Sequence, residues 1–515
     1  MEPPSPRSDL NPLDELLMTQ ASTRATAPYL LDARSARTLS YAQLLEDVDL
    51  LRNRLHSWGV SRGDRVGLQL GDPLTFSTWF LAGLAMGAWV APLDSTFSDS
   101  NLVQVNARSR DLHLSVVLSD RDAPEHSAVP WRNVLGTEPD VSSSGFLTSR
   151  DESPSSGGVL LASSGTTGTP KVVALPIAQL LLTAELIAQH NQLDVTDRGF
   201  NPLPLWHVNA EVVGLLSTLY AGASLVLDDR FHRTGFWKII NDLEVTWINA
   251  VPAIISRLAS QSDGELPARR VRFIRSASAP LSPALFEQFE ASTGIPIIQS
   301  YGMTEAASQI CANPLTGVRK SGSVGVPVGV SVRVVPLSAD APATGANSVG
   351  HIEIMGPTVI KRYESAAYDD RFDAEGWLRT GDLGYFDDDG YLFIVGRSDD
   401  VINRGGEKIY PLEIENVLAM VEGVAQVAVI GESDEVFGQV PVAYVQPDDF
   451  AVLSSPEELT RLVQRVRVSA NDAFSKAHRP VVVKVVGHLP VAATGKVRKG
   501  LLREGDVDVI YEEPL

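Results

Sequence analysis

Apolar residues recur at helical spacing from Tyr41 to Trp58, where Leu44, Leu45, Val48, Leu51 and Leu55 share one side. The run Asp64 to Leu70 then reads as a strand, and a helix is predicted to follow Asp72-Pro73. Another strand-like run, Leu114 to Leu118, precedes a Pro- and Ser-rich stretch, Ser142 to Gly158, that reads as a surface loop leading into a strand from Val159 to Ala162. Helix and strand patterns keep alternating to about Ile298, which predicts an α/β layered body rich in parallel sheet.

Beyond about Gly322 the texture changes. Short strand-like runs at Val332 to Val335, His351 to Ile354 and Tyr391 to Val395, separated by Gly, Asp and Pro, predict a small β-rich subdomain. From about Ser398 a third pattern begins. A helix starting near Pro411, a favourable first-turn residue, carries Leu412, Val417, Leu418 and Val421. Strands at Gln426 to Ile430 and Val440 to Val445, a helix near Pro456 to Val468 and a strand at Val481 to Val486 complete a small α+β unit. The chain thus divides into a large domain over 1–397 and a small one over 398–515.

Composition narrows the function classes. A chain of 515 residues exceeds one compact core and suggests two or three domains. Its net charge of −20, from 63 acidic and 43 basic residues, argues against a broad nucleic-acid or anionic-membrane surface. A phosphate site built from backbone N–H groups and a few cations stays compatible with that balance. The single cysteine, Cys311, permits no internal disulfide and fits a reducing compartment; a small buried thiol is its ordinary fate. The amino-terminal MEPPSPRSDL lacks an apolar signal core. The most apolar stretch, Trp79 to Leu93, carries Gly83, Gly87 and Pro92 and falls short of a membrane span, so it reads as a tightly packed core helix and the location as cytoplasmic.

The first candidate for chemistry is Ser163-Ser164-Gly165-Thr166-Thr167-Gly168-Thr169-Pro170-Lys171. Glycines allow close backbone approach, hydroxyls and exposed N–H groups can ring a phosphate, and Lys171 adds a cation. The spacing is not the Walker pattern, and the next residues, Val172 to Leu175, read as extended, so no helix dipole stands behind the loop.

This loop resembles the phosphate-binding signature of the adenylate-forming superfamily, which includes acyl-CoA synthetases, luciferases and peptide-synthetase adenylation domains. Further motifs follow in that superfamily's order. Pro202-Leu203-Pro204-Leu205-Trp206-His207-Val208-Asn209 resembles the aromatic-His segment beside the acyl site, and Ser276-Ala277-Ser278-Ala279-Pro280-Leu281 the turn that contacts adenine. Ser300-Tyr301-Gly302-Met303-Thr304-Glu305 is similar to the superfamily's most recognisable site motif. Trp377-Leu378-Arg379-Thr380-Gly381-Asp382 and Gly396-Arg397-Ser398-Asp399-Asp400 resemble the ribose motif and the domain hinge. Pro490, then Ala493-Thr494-Gly495-Lys496-Val497-Arg498-Lys499, resembles the carboxy-terminal lysine motif.

The resemblance implies a mobile lid hinged near Asp399, ATP and coenzyme A as co-substrates, and Mg²⁺. It implies that Tyr301 faces adenine, Gly302 lets the backbone come close, and Thr304 offers a hydroxyl to the α-phosphate. Glu305, a hard oxygen ligand, suits Mg²⁺ bridging ATP phosphates. Asp382 can accept both ribose hydroxyls, and the planar fork of Arg397 can hold ribose or phosphate oxygens. A lone lysine in a basic run is ordinarily a solvated surface residue. The resemblance instead assigns Lys496 to the charge that develops when a carboxylate attacks the α-phosphorus. Trp206, His207, Asn249 and Met303 are expected in the acyl pocket, with His207 shaping it rather than serving as a base.

Two adjacent carboxylates, Asp399 and Asp400, favour exposure at the implied hinge. The glycines of Asn403-Arg404-Gly405-Gly406-Glu407-Lys408 are expected to form a thin strip lining a pantetheine tunnel. Several positions depart from the pattern: Trp206 is bulky, Ala210-Glu211 stands where Gly is more usual, and Lys361-Arg362-Tyr363-Glu364 lacks a glycine. Ala477-His478-Arg479-Pro480 replaces an aromatic-Lys-Val-Pro reading associated with coenzyme A. The function implied is an acyl-CoA synthetase. The rivals are a stand-alone enzyme loading a carrier protein, one specialised for a single half-reaction, and a non-catalytic nucleotide-binding module. A homodimer is the other partner left open. The pocket segments are mostly small, apolar or weakly polar, and no basic residue stands out to pair a second carboxylate, although Arg275 is a candidate; the acid expected is a fairly apolar monocarboxylic one.

Overall fold

The computed structural model describes residues 11–95, 99–123, 127, 129–135, 157–163, 171–259, 270–337, 345–491 and 496–515. Local chemistry explains where the elements begin. Ser40 and Gln43 form a reciprocal capping box at the start of the Tyr41–Ser57 helix. Asp72 caps the Pro73–Ala85 helix through the Thr75 amide, with Pro73 in the first turn. The apolar stretch expected as one helix is split: the helix ends at Ala85, Gly87 turns with φ +79°, and Trp89–Pro92 is a buried strand. Burial on every side makes that run uniformly apolar, which hides the change of period from the sequence.

Two sheets build the large layered body. A six-stranded sheet includes the parallel strands Arg65–Gln69, Trp89–Pro92 and Val116–Ser119, and ends in the antiparallel pair Gly158–Ser163 and Lys171–Pro176. A nine-stranded sheet has the parallel strands Arg198–Asn201, Trp247–Ala250, Phe273–Ser276 and Ile297–Tyr301 side by side. Four antiparallel strands, Ser331–Pro336, Gly350–Met355, Leu378–Phe386 and Leu392–Arg397, form the β-rich part. The Leu378–Phe386 strand was not legible from periodicity, because its polar, glycine-bearing centre RTGD breaks the alternation.

The last sheet is centred on Gly438–Pro447, which pairs with Val424–Asp434 and Val482–Val486. It gains a final strand, Val509–Pro514, and a short hairpin, Ile402–Arg404 with Glu407–Ile409, both unanticipated. Its buried apolar residues, from Ile402 onward, pack among themselves, while the large core ends at Leu392. Among the described residues no helix is long and apolar enough to cross a membrane.

Candidate active site

Parallel strands present the ends of their backbones on one side of a sheet, and ligands collect beyond their carboxyl ends. The Ile297–Tyr301 strand ends there, followed by a 3₁₀ turn over Thr304–Ala306. Gly302 sits against the returning chain: a Cβ on it would lie 1.3 Å from the Ser308 carbonyl oxygen and 3.2 Å from Gln309 Cα. Three residues near this point hold the left-handed conformation without being glycine: Ser278 at φ +73°, Ala307 at +48° and Ser308 at +98°. Such strain persists only where surrounding structure enforces it, and it concentrates at functional sites. Gly302→Ala is therefore expected to displace backbone. Thermal unfolding should report a destabilisation of about 3 kcal/mol, and the stabilisation that ATP gives the wild-type protein should be lost.

Glu305 is buried and pairs through Oε1 with the ammonium of Lys171, which also lies 4.7 Å from the Tyr363 ring centroid. The Tyr363 hydroxyl donates to the same carboxylate oxygen at 2.9 Å, and burial first, then the Glu305 charge, pushes that phenol upward. The segment that lacks the expected glycine thus docks over Glu305; Ile360 N–H also donates to its backbone carbonyl at 2.8 Å. Ser163 faces Lys171 across the paired strands, at the base of the hairpin. Ser164, Gly165, Thr166, Thr167 and Gly168 lie outside the described residues.

Asp382 and Arg397 are brought together by register, as direct partners on neighbouring antiparallel strands. Arg397 Nη1 donates to Asp382 Oδ1 at 3.1 Å, and the Tyr301 hydroxyl donates to Oδ2. Burial and then the Asp382 charge drive the Tyr301 phenol well above its usual range. Thr380 Oγ accepts from the Asp382 amide at 3.0 Å while donating to the Ile352 carbonyl at 2.8 Å, so the carboxylate is held from behind. Cys311 is buried and its thiol pushed up by burial, which removes it as a nucleophile.

Towards the expected acyl side the environment is more polar than the sequence suggested. His207 Nε2 is buried without a partner among the described residues, and burial lowers the imidazole below its ordinary value. Asn209 begins a π-helix, Asn209–Leu216, an uncommon element that recurs at functional sites. Its Nδ2 donates to Ser278 Oγ at 3.3 Å, and Asn249 Nδ2 donates to Asn209 Oδ1 at 3.3 Å. Ala279 and Pro280 continue the turn from Ser278, whereas Met303 is extended and packs against the large core. Gln309 was not named from the sequence, and Asn209 and Tyr363 entered only as members of longer segments with no role of their own; the partners of each come from distant chain segments.

The residues of the expected hinge and lid have their own geometry. Ser398 Oγ donates to the Gly381 carbonyl at 3.1 Å on one side, and Asp400 pairs with Arg503 on the other; Asp399 is exposed between them. In the basic run, Lys499 is committed to Glu415 at 2.7 Å, whereas Lys496 is exposed and has no partner among the described residues. Gly405 and Gly406 are the two central residues of the hairpin turn, with φ of +59° and +98°, as a two-residue turn of the primed type requires. Both are exposed. Arg479 donates to the Phe474 and Asn471 carbonyls, closing the end of the Pro456–Ala473 helix.

Comparison with known proteins identifies the family. The AMP-binding enzyme family model matches residues 17–364, and the AMP-binding enzyme C-terminal domain matches 413–496. The chain is 34% identical to the sulfoacetate–CoA ligase of Cupriavidus necator over 95% of this chain and 96% of that protein. It is 32% identical to the oxalate–CoA ligase of Arabidopsis thaliana over 90% and 93%, respectively. The o-succinylbenzoate–CoA synthetase of Bacillus subtilis, solved with its acyl-adenylate intermediate, superposes with a TM-score of 0.80 at 26% identity, covering 96% of this chain and 98% of that one. A structure of the same enzyme holds ATP and a magnesium ion. The chain belongs to the AMP-binding enzyme family and is an acid–thiol ligase, an acyl-CoA synthetase of the adenylate-forming superfamily.

Proposed function

We propose that the chain works as a two-step enzyme whose large domain, 1–397, holds ATP and the acid while a lid, 398–515, alternates between two placements about Asp399. In the first step a carboxylate oxygen attacks the α-phosphorus, the bond to the β-phosphate oxygen breaks, and pyrophosphate leaves. Asp382 accepts the ribose hydroxyls, Arg397 steadies that carboxylate, and Tyr301 and the Ser278-Ala279-Pro280 turn flank the adenine. Thr304 donates to the α-phosphate, and Lys496 is carried in to offset the developing charge. The residues Ser163 to Gly168 are assigned to the outer phosphates by their hydroxyls and amides, and Lys171 turns to the same phosphates from Glu305. Glu305 offers a hard carboxylate oxygen of the kind Mg²⁺ prefers, and a bound ion would neutralise phosphate charge there. In the second step the coenzyme A thiol attacks the acyl carbonyl, the bond to phosphate breaks, and AMP leaves. Gly405 and Gly406 then border the thiol's approach.

The observation that carries this reading is the meeting of Tyr301, Asp382 and Arg397 from three separate strands, with the Tyr301 strand leading directly into the turn that bears Glu305. Coenzyme A rather than a carrier protein is the proposed acceptor, with the cytoplasm as the location. The acid is proposed to be small and polar, as are the sulfoacetate and oxalate for which the two relatives are named. The test is to supply ATP, Mg²⁺, coenzyme A and a panel of acids, and to assay pyrophosphate, AMP and acyl-CoA separately. Equal yields of all three, dependent on the acid, are expected. Formation of ADP, or turnover that requires a holo carrier protein, would overturn the reading.

A further inference from the structure

Strands of a parallel sheet covered on both faces are ordinarily apolar throughout. The nine-stranded sheet departs from that rule near the carboxyl ends of several strands. Asn249 and Arg275 are direct partners near the carboxyl ends of adjacent strands, and Asn249 Nδ2 donates at 2.9 Å to Asn201 Oδ1, from the next strand along. All three are buried, Asn201 and Asn249 at 0% and Arg275 at 1% exposure.

Arg275 is the unusual member. A guanidinium taken out of water needs a counter-charge, or its burial is unfavourable by several kcal/mol. Its described partners are neutral amides: Nη1 donates to Asn209 Oδ1 at 3.2 Å and Nη2 to Gln309 Oε1 at 2.9 Å. Two of its five N–H groups are thereby used. Among the described residues Nε is buried with no partner, as are Gln309 Nε2 and Asn249 Oδ1. No carboxylate among the described residues pairs with Arg275. Glu211 is fully buried on the π-helix, but neither of its oxygens has a partner among the described residues, and burial pushes its carboxyl well up, so it forms no ion pair with Arg275. Burial likewise lowers His190, and the Arg275 charge adds to that effect against the Asn313 hydrogen bond. Burial lowers Arg275 itself to about 9, which leaves it cationic at neutral pH.

This unneutralised cation adjoins the site. Asn209 links it to Ser278 in the proposed adenine turn, and Gln309 follows directly on the segment packed under Gly302. We propose that Arg275, with Gln309 and Asn209, binds a second anionic group, a carboxylate or sulfonate, of a short bifunctional acid whose other carboxylate is adenylated. The assignment rests on the acyl-CoA synthetase reading. The guanidinium fork matches such a group in a water-poor setting, where the missing counter-charge arrives with the substrate. A monoacid would leave the cation unpaired, so the site selects by that difference.

The test compares wild-type protein with Arg275→Met and Arg275→Gln. Acid-dependent pyrophosphate exchange would be measured with oxalate, malonate, succinate and sulfoacetate, and with acetate, propionate and butyrate. The wild type is expected to favour at least one dianion over its matched monoacid by about 100-fold or more in kcat/KM. Either variant should lose most of that preference, chiefly through KM, while monoacid exchange changes by only a few fold. A preference for a sulfonate or a carboxylate dianion identifies the second group. Separately, the preferred dianion alone should raise the melting temperature of the wild type and not of the variants, whose own melting temperatures report that they fold. Selectivity for monoacids in the wild type, or dianion selectivity unchanged in folded variants, would overturn the role of Arg275 and leave the ligase reading standing. Dianion-dependent melting shifts without any pyrophosphate exchange would overturn the ligase reading and retain the anion site.

Discussion

Lys496→Ala is expected to slow acid-dependent pyrophosphate exchange by about 10²–10³-fold while thioester formation from preformed acyl adenylate stays within a few fold of wild type. The split arises from where charge develops. The first step places negative charge on the phosphoryl group and on leaving pyrophosphate, so a cation brought there acts on the transition state alone. The second step breaks the acyl–phosphate bond after pyrophosphate has gone, when the lid is proposed to present a different surface. Lys496 is exposed and has no partner among the described residues, so its truncation should leave folding stability unchanged to within about 0.5 kcal/mol. Lys499→Ala is the matched control, because it breaks a half-buried ion pair with Glu415 inside the lid. It should lower the melting temperature without separating the two half-reactions. Equal loss of both activities in Lys496→Ala would refute the assigned role.

The same contrast shows what the sequence could and could not reveal. Lys496 and Lys499 are indistinguishable by composition; motif order separates them, and in the structure Lys499 is paired with Glu415 while Lys496 has no partner among the described residues. The layered α/β body and most of its strands were legible because periodicity and glycine placement are local signals. The Leu378–Phe386 strand was hidden because the chemistry at its centre interrupts the alternation that marks strands. The partnership of Asp382 with Arg397 depends on register across a hairpin, and that of Glu305 with Tyr363 on two segments far apart in the chain. Arg275 was visible as a residue but not as a buried, unneutralised one, because burial is a property of the sheet and not of its own neighbours. That single placement is what moves the proposal away from the apolar acid expected from the sequence: side chains that are weakly polar one by one surround a buried guanidinium.

Gly406→Leu is expected to have the opposite effect to Lys496→Ala: pyrophosphate exchange within a few fold of wild type, and coenzyme A-dependent release of AMP reduced by about 100-fold or more. Two physical effects bear on this position. The backbone holds φ +98°, which disfavours any side chain by about 1–2 kcal/mol. Yet a Cβ there meets no described atom within 4 Å, so the side chain has room and the hairpin should still form, with a modestly lower melting temperature. The large effect is reserved for the second lid placement. There the Gly405-Gly406 turn is proposed to approach the site, and a leucyl side chain would stand where the pantetheine arm must pass. Gly405 provides the comparison. Its φ is also positive, but a Cβ on it would lie 3.5 Å from Phe437, so Gly405→Ala tests backbone strain with little added bulk. Strain alone would make the two variants behave alike; obstruction of the thiol's path makes Gly406→Leu far worse in the second half-reaction only. Normal thioester formation by folded Gly406→Leu would remove this turn from the proposed route of coenzyme A.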